Sequence, residues 1–381
     1  MSSLWLTTST PFSVKAIAVF ALLVVSSIGS RIASEIPLTY EPSEADCDVL
    51  PYSVGFDISL SYGTAVIRWA NGSYEPVAKI DGTPDYVRNM DYMSLMSSRH
   101  LHTPYCDQIM GPLLDWRRMA LRRFRKKLGL PASPEVGYIG RMIRQLRYAT
   151  EQKLGHEIKH VVTTRPELRA LYHEDMEDAL EYVGLEYVEV CQGCPVQFEL
   201  WSAYAGIGLG LCQNFTDVDE CHKEMHPMPW LTVLSLFYSR KGLQVHAGRL
   251  SNSYDWSKCA DLRWDTYTVD FDVGSDSIPA TEPTAEVYWN KIRTQIRFVI
   301  QRQLPDPIDK VILQGESALN ERFVREVYDL LRRDGSDDAV FYSDYPIFVA
   351  ANGAAEHAYR SLSLCGPQKL SMSQRTYCKN R

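Results

Sequence analysis

Apolar runs of five to eight residues, bounded by Gly, Pro, Asn and Ser, recur along this chain and predict short strands. Val54-Gly55-Phe56-Asp57-Ile58 reads as a buried strand and Ser59-Leu60-Ser61 as a turn. Gly63 to Trp69 is a second strand, Asn71-Gly72 a hairpin turn, and Pro76 to Ile80 a third strand. Residues 83–112 show no period and are expected to be irregular. Residues 113–128 predict a helix with Leu114, Met119, Leu121, Phe124 and Leu128 inward. Its seven basic residues, Arg117 to Lys127, form either a solvated face or a docking patch for an acidic partner or lipid headgroups.

A second helix is expected over Pro134 to Leu154, with Ile139, Met142, Ile143, Leu146 and Tyr148 to Ala149 inward. A strand through Val161-Val162, a helix from Leu168 to Val183 capped by Gly184, and a strand from Tyr187 to Val190 follow. That succession argues for a mixed α/β layer. The strand-turn-strand unit then returns, as Trp230 to Phe237 and Leu243 to Leu250. Residues 273–284 read as a loop, Val287 to Leu304 as a helix ended by Pro305 and Pro307, and Val311 to Leu313 as a strand. Asn320 to Arg333 is a helix, Phe341 starts a short strand, and Ala351 to Leu362 is the last helix.

Composition changes the picture at the N-terminus. Lys15 precedes the apolar run Ala16 to Val25, and Ser26-Ser27-Ile28-Gly29-Ser30 follows, which reads as a signal peptide over 1–29. Retention as a membrane anchor is the alternative. Residues 30–48 look like a linker. The nine cysteines fit an oxidising compartment, with Cys191–Cys194 and Cys212–Cys221 the favoured local pairs. Asn71-Gly72-Ser73 and Asn214-Phe215-Thr216 are glycosylation sequons that fit the same route, so the expected location is secreted or in the secretory lumen. A net charge of −7 gives no reason to expect nucleic acid.

The order of these segments resembles the actin-like ATPase superfamily, nearest the nucleotide-binding domain of the seventy-kilodalton heat-shock chaperones. Leu154-Gly155 to Leu185 is similar to that family's Leu-Gly, strand, Val-Val-Thr-x-Pro, helix run. Glu199 to Gly208 resembles its crossing helix, and Val311 to Ser317 with Phe348 to Ala355 its adenosine-loop and final-helix motifs. The resemblance implies a two-lobed, ribonuclease H-like α/β fold with reduced peripheral subdomains. Its first lobe would span 49–205, its second 206–350, and the returning helix and tail 351–381. It also implies that nucleotide contacts would come from Asp57, Ser61, Tyr62, Gly315, Ser317 and Gly353, with Asp57 facing Mg²⁺ and Glu199 in the metal region. From the residues alone, Asp57 reads first as a structural residue capping the hairpin turn, and Glu199 equally as a surface residue.

Much of the family's chemistry is missing. Ser59-Leu60-Ser61 stands where the family has Gly-Thr-Thr, and Phe237 to Gly242 stands for an Asp, three glycines and a Thr. Glu316 replaces a glycine, Leu319 a purine-stacking Arg, and Ile347 lies near a ribose-region Asp. Arg240 and Lys241 either attract anions or are solvated tip charges. A degenerate ATPase that binds or scaffolds an unknown protein partner, with no ATP or Mg²⁺ bound, is therefore expected. The alternatives are a functional ATP-binding ATPase and a thiol-exchange glycoprotein using Cys191 and Cys194. Cys221-His222 with His226 has metal-like spacing, but no second ligand pair accompanies it.

Overall fold

A computed structural model describes residues 50–99, 115–188, 190, 197–253, 267–303 and 307–363, all within one compact unit, Ala45–Arg381. The signal segment, the linker and Cys191 and Cys194 lie outside the described residues.

The chain is α/β, with two mixed sheets. In the first, β1 (Tyr52–Ile58), β2 (Tyr62–Trp69) and β3 (Tyr74–Asp81) form an antiparallel meander. The helices α1 (Pro84–Ser94), α2 (Trp116–Lys127) and α3 (Pro134–Leu154) follow, and then β4 (His160–Arg165) returns parallel to β1. After α4 (His173–Tyr182) come the short strands β5 (Glu186–Tyr187) and β6 (Gln197–Phe198), both parallel to β4. The sheet order is β3-β2-β1-β4-β5.

Two helices, α5 (Glu199–Gly206) and α6 (Val218–Met225), lead to the second sheet. There β7 (Leu231–Tyr238), β8 (Leu243–Leu250) and β9 (Tyr267–Asp270) make another antiparallel meander. Past α7 (Glu282–Gln303), β10 (Lys310–Gln314) runs parallel to β7. Past α8 (Glu321–Arg333), β11 (Val340–Tyr342) runs parallel to β10, and α9 (Val349–Leu362) closes the fold. The order β9-β8-β7-β10-β11 repeats that of the first sheet. The central strands carry apolar residues on both faces because both faces are covered. Val161 packs outward with α3 and α4, whereas Val162 packs inward with Ala354 and Ala358 of α9. Leu234 and Leu236 pack with α7 and α8, and Val233 with Leu200 and Tyr204 of α5.

The helices α5 and α9 cross between the sheets at backbone distance. A Cβ on Gly353 would overlap the Ser202 carbonyl oxygen, one on Gly206 that of Val349, and one on Gly55 the Ala355 amide. Gly353 thus serves helix packing.

Several expectations change. The segment after residue 83 holds a helix, begun by the Thr83 hydroxyl accepting from Tyr86 N–H and by Pro84 in the first turn. It buries Tyr86, Met90 and Met93. The loop over 273–284 is shorter than expected, since α7 begins at Glu282. On α3, Tyr148 is exposed and Thr150 is buried instead.

The basic helix is inverted relative to expectation. Arg122 is 5% exposed, while Leu121 and Phe124 are 58% and 59% exposed, and Leu128 is exposed as well. The cause lies on α4, which presents Glu174, Asp175, Asp178 and Glu181. Arg122 pairs with Asp175 at 2.8 Å and Asp178 at 2.6 Å, Arg118 with Glu174, and Lys126 with Asp178 at 2.7 Å and with Glu181. Arg118, Arg122 and Lys126 share one face at four-residue spacing, so the charged face packs and the apolar face turns out.

Among the described residues a disulfide joins Cys212 and Cys221, Cα atoms 5.2 Å apart. Cys221 is therefore no metal ligand with His222. No helix among the described residues is long and apolar enough to cross a membrane.

Candidate functional site

The hairpin of β1 and β2, with its turn at 59–61, and that of β7 and β8, with its turn at 239–242, approach each other where Tyr62 packs on Phe237. The space between them is filled by protein. Leu60, Tyr62 and Phe237 are all buried in one core cluster, with the Tyr62 and Phe237 ring centroids 5.6 Å apart. Lys79 of β3 lies over the Tyr62 ring at 4.7 Å.

The second turn satisfies its own backbone. Ser239 N–H donates to Gly242 O at 2.9 Å, and the Lys241 and Gly242 N–H groups both donate to Ser239 Oγ at 3.2 Å. The remaining donor, Arg240 N–H, bonds Glu316 Oε1 at 3.2 Å. A turn of free amides attracts an anion. Here a carboxylate from the loop after β10 is that anion. The other Glu316 oxygen, Oε2, pairs with Lys79 Nζ at 2.7 Å, joining the two sheets. Arg240 and Lys241 are exposed charges at the hairpin tip, as the solvated reading has it, and both pair with Asp276 at the surface, at 3.0 and 2.8 Å.

Gly315 has φ +100°, and a Cβ there would overlap the Tyr238 carbonyl oxygen, so glycine is required where the loop passes the end of β7. Ser317 N–H donates to Tyr238 O at 3.0 Å, and its hydroxyl meets that of Ser275 at 2.8 Å. Leu319 stays outside the cleft. It lines an open groove of about 560 Å³ with Val324, Tyr328 and Phe341. Ile347 is part-buried against the core of the first sheet.

Deeper in, three carboxyl groups converge. Asp57 lies beside Thr164 in the β1–β4 register and accepts its hydroxyl hydrogen bond. Burial raises the Asp57 carboxyl to about 6, against the opposing effect of that bond. Glu199, at the start of α5, is 1% exposed, which removes the surface reading. Its Oε2 accepts from Gln244 Nε2 at 3.0 Å, and the Gln244 carbonyl accepts from Glu167 N–H at 3.1 Å. Burial, then the charge of Asp57, pushes the Glu199 carboxyl well above its usual range. Burial lifts Glu167 to about 8, although Arg165 opposes it. Glu167 Oε1, Glu199 Oε1 and Ser61 Oγ have no hydrogen-bond partner among the described residues. No group of three or more His, Cys, Asp or Glu among those residues is placed to hold a metal ion.

The structure thus brings Asp57, Tyr62 and Glu199 together in the buried interior, with Ser61 buried in the first turn and Glu316 bridging Lys79 and the 239–242 turn. Gly353 lies in the helix crossing. Asn71 is at an exposed hairpin tip, and Asn214 is exposed with its amide bonded to Glu224 at 2.8 Å. Sequence reasoning missed Glu167, Gln244 and Lys79. Glu167 follows Arg165-Pro166 just past a buried strand, where a carboxylate entering the core was the available signal. Compared with known proteins, the chain matches no family model and no curated protein.

Proposed function

We propose that this protein is a degenerate, two-lobed actin-like ATPase fold whose nucleotide cleft is closed by its own side chains, and that it acts by binding or scaffolding a protein partner. The repeated strand order in the two sheets, with α5 and α9 crossing between them, supports the fold reading. A single observation carries the functional one. Every backbone N–H of the 239–242 turn already has an acceptor inside the protein, and one of those acceptors is the Glu316 carboxylate.

Phosphate and Mg²⁺ do not fit this arrangement. Phosphate would have to displace Glu316 and enter space held by Leu60, Tyr62 and Phe237. Mg²⁺ bound without phosphate would need several oxygens beyond Asp57. No catalytic step is therefore derived. The test is phosphate release from Mg-ATP by the purified protein. Release at the level of the buffer blank, unchanged by Asp57→Asn, is expected; turnover abolished by Asp57→Asn would overturn the reading.

A further inference from the structure

We propose that the outward arc of α2 is a membrane-contact surface that lays the protein on an anionic lipid bilayer. This inference is independent of the reading of the cleft.

The seven basic residues of α2 divide into two sets. Arg118, Arg122 and Lys126 are spent on the acids of α4, and Arg125 donates to Pro131 O at 2.8 Å. Arg117, Arg123 and Lys127 form no ion pair among the described residues; Arg117 only approaches the ring of Trp116. These three sit on the arc that also exposes Trp116, Leu121, Phe124 and Leu128. Trp116, Ala120 and Phe124 follow at four-residue spacing, with Leu121 and Leu128 beside them, so the bulky side chains form one stripe. A soluble helix normally buries such a stripe and solvates its cations. This one pins the opposite face to the body with a charge network and presents apolar groups and free cations together.

That combination is the chemistry of an interfacial helix. Trp, Phe and Leu enter the headgroup–acyl boundary, while Arg and Lys reach along their stems to anionic headgroups. An acidic protein would need carboxylates fixed opposite three cations scattered among large apolar groups. A fluid layer of anionic headgroups meets them wherever they lie.

The test is co-sedimentation of the purified protein with vesicles of phosphatidylcholine, with and without phosphatidylserine. Binding to the anionic vesicles alone, weakened by salt, is expected. Arg123→Gln and Lys127→Gln should each lower partitioning about fivefold, the equivalent of about 1 kcal/mol per basic residue at an anionic surface. Phe124→Ser with Leu128→Ser should abolish it at unchanged thermal stability, because both side chains face solvent. Wild type and variants are all purified as the mature chain without residues 1–29, so the differences report α2. Equal pelleting with neutral vesicles would overturn the proposal, as would pelleting indifferent to these substitutions. Failure to pellet, combined with retention on immobilised polyglutamate through Arg123 and Lys127, would overturn it in favour of an acidic protein partner.

Discussion

Glu316 Oε2 lies 2.7 Å from Lys79 Nζ, so a residue in a loop of the second sheet is tied to an edge strand of the first. Both side chains are mostly buried, and the second Glu316 oxygen is bound to Arg240 N–H. The pair is therefore better insulated than a surface ion pair. A double-mutant cycle with Lys79→Ala and Glu316→Gln should give a coupling of about 1–2 kcal/mol in denaturant unfolding. A coupling near zero would mean that the cleft is not held shut by this contact.

The helix crossing sets a second expectation. Gly353→Ala places a methyl group on the Ser202 carbonyl, a backbone atom that moves only if α5 moves. We expect a loss of about 3 kcal/mol or more, at the upper end of overpacking costs. Gly72→Ala, at a hairpin tip with open space around it but with φ +84°, should cost only the strain of a left-handed residue, about 1–2 kcal/mol. Equal thermal shifts for the two variants would contradict the close approach of α5 and α9.

The buried carboxyl groups make stability depend on pH. The Glu167 carboxyl is raised from 4.5 to about 8, so the folded state holds a proton that the unfolded chain has released. Its contribution is fully present below about pH 4.5 and is lost as pH rises through 8. Glu167→Gln should therefore gain stability on wild type over that window, by at most about 5 kcal/mol from 1.36 kcal/mol per unit. His173, His246 and His357, lowered to about 3 chiefly by burial, act with the opposite sign. Their contribution is present above about pH 6.5 and is lost as pH falls towards 3. A Glu167→Gln difference that stays flat from pH 5 to 9 would refute the assignment.

The disulfide joins residues nine apart, and the Cys212 carbonyl accepts from Arg360 of α9 at 2.6 Å. Cys212→Ser with Cys221→Ser should cost about 2–3 kcal/mol by loop entropy. Non-reducing peptide mapping should recover the two cysteines in one linked fragment. Recovery of both as free thiols would contradict the pairing.

How much of this was legible in the sequence depended on whether the signal was local. The meanders at Val54–Ile80 and Leu231–Leu250 were readable, because apolar runs punctuated by turn residues carry their own evidence. The Thr83-Pro84 start of α1 was also local, yet the polar residues of that helix hid its period. The inversion of α2 was not legible. Arg122 is buried only because Asp175 and Asp178 approach from α4, a partner more than fifty residues away. The site divides the same way. Asp57 and Glu316 stood out against the motifs they resemble, whereas Gln244 bridging Glu199 and Glu167 exists only once the two sheets meet.

The central claim is that the cleft holds Glu316 in place of a phosphate. Isothermal titration of Mg-ATP into the purified protein, beside the Asp57→Asn variant, tests it most directly. The account predicts no binding tighter than about 1 mM, roughly −4 kcal/mol, for either protein. Micromolar binding that weakens in the variant would show an open phosphate site, and would contradict it.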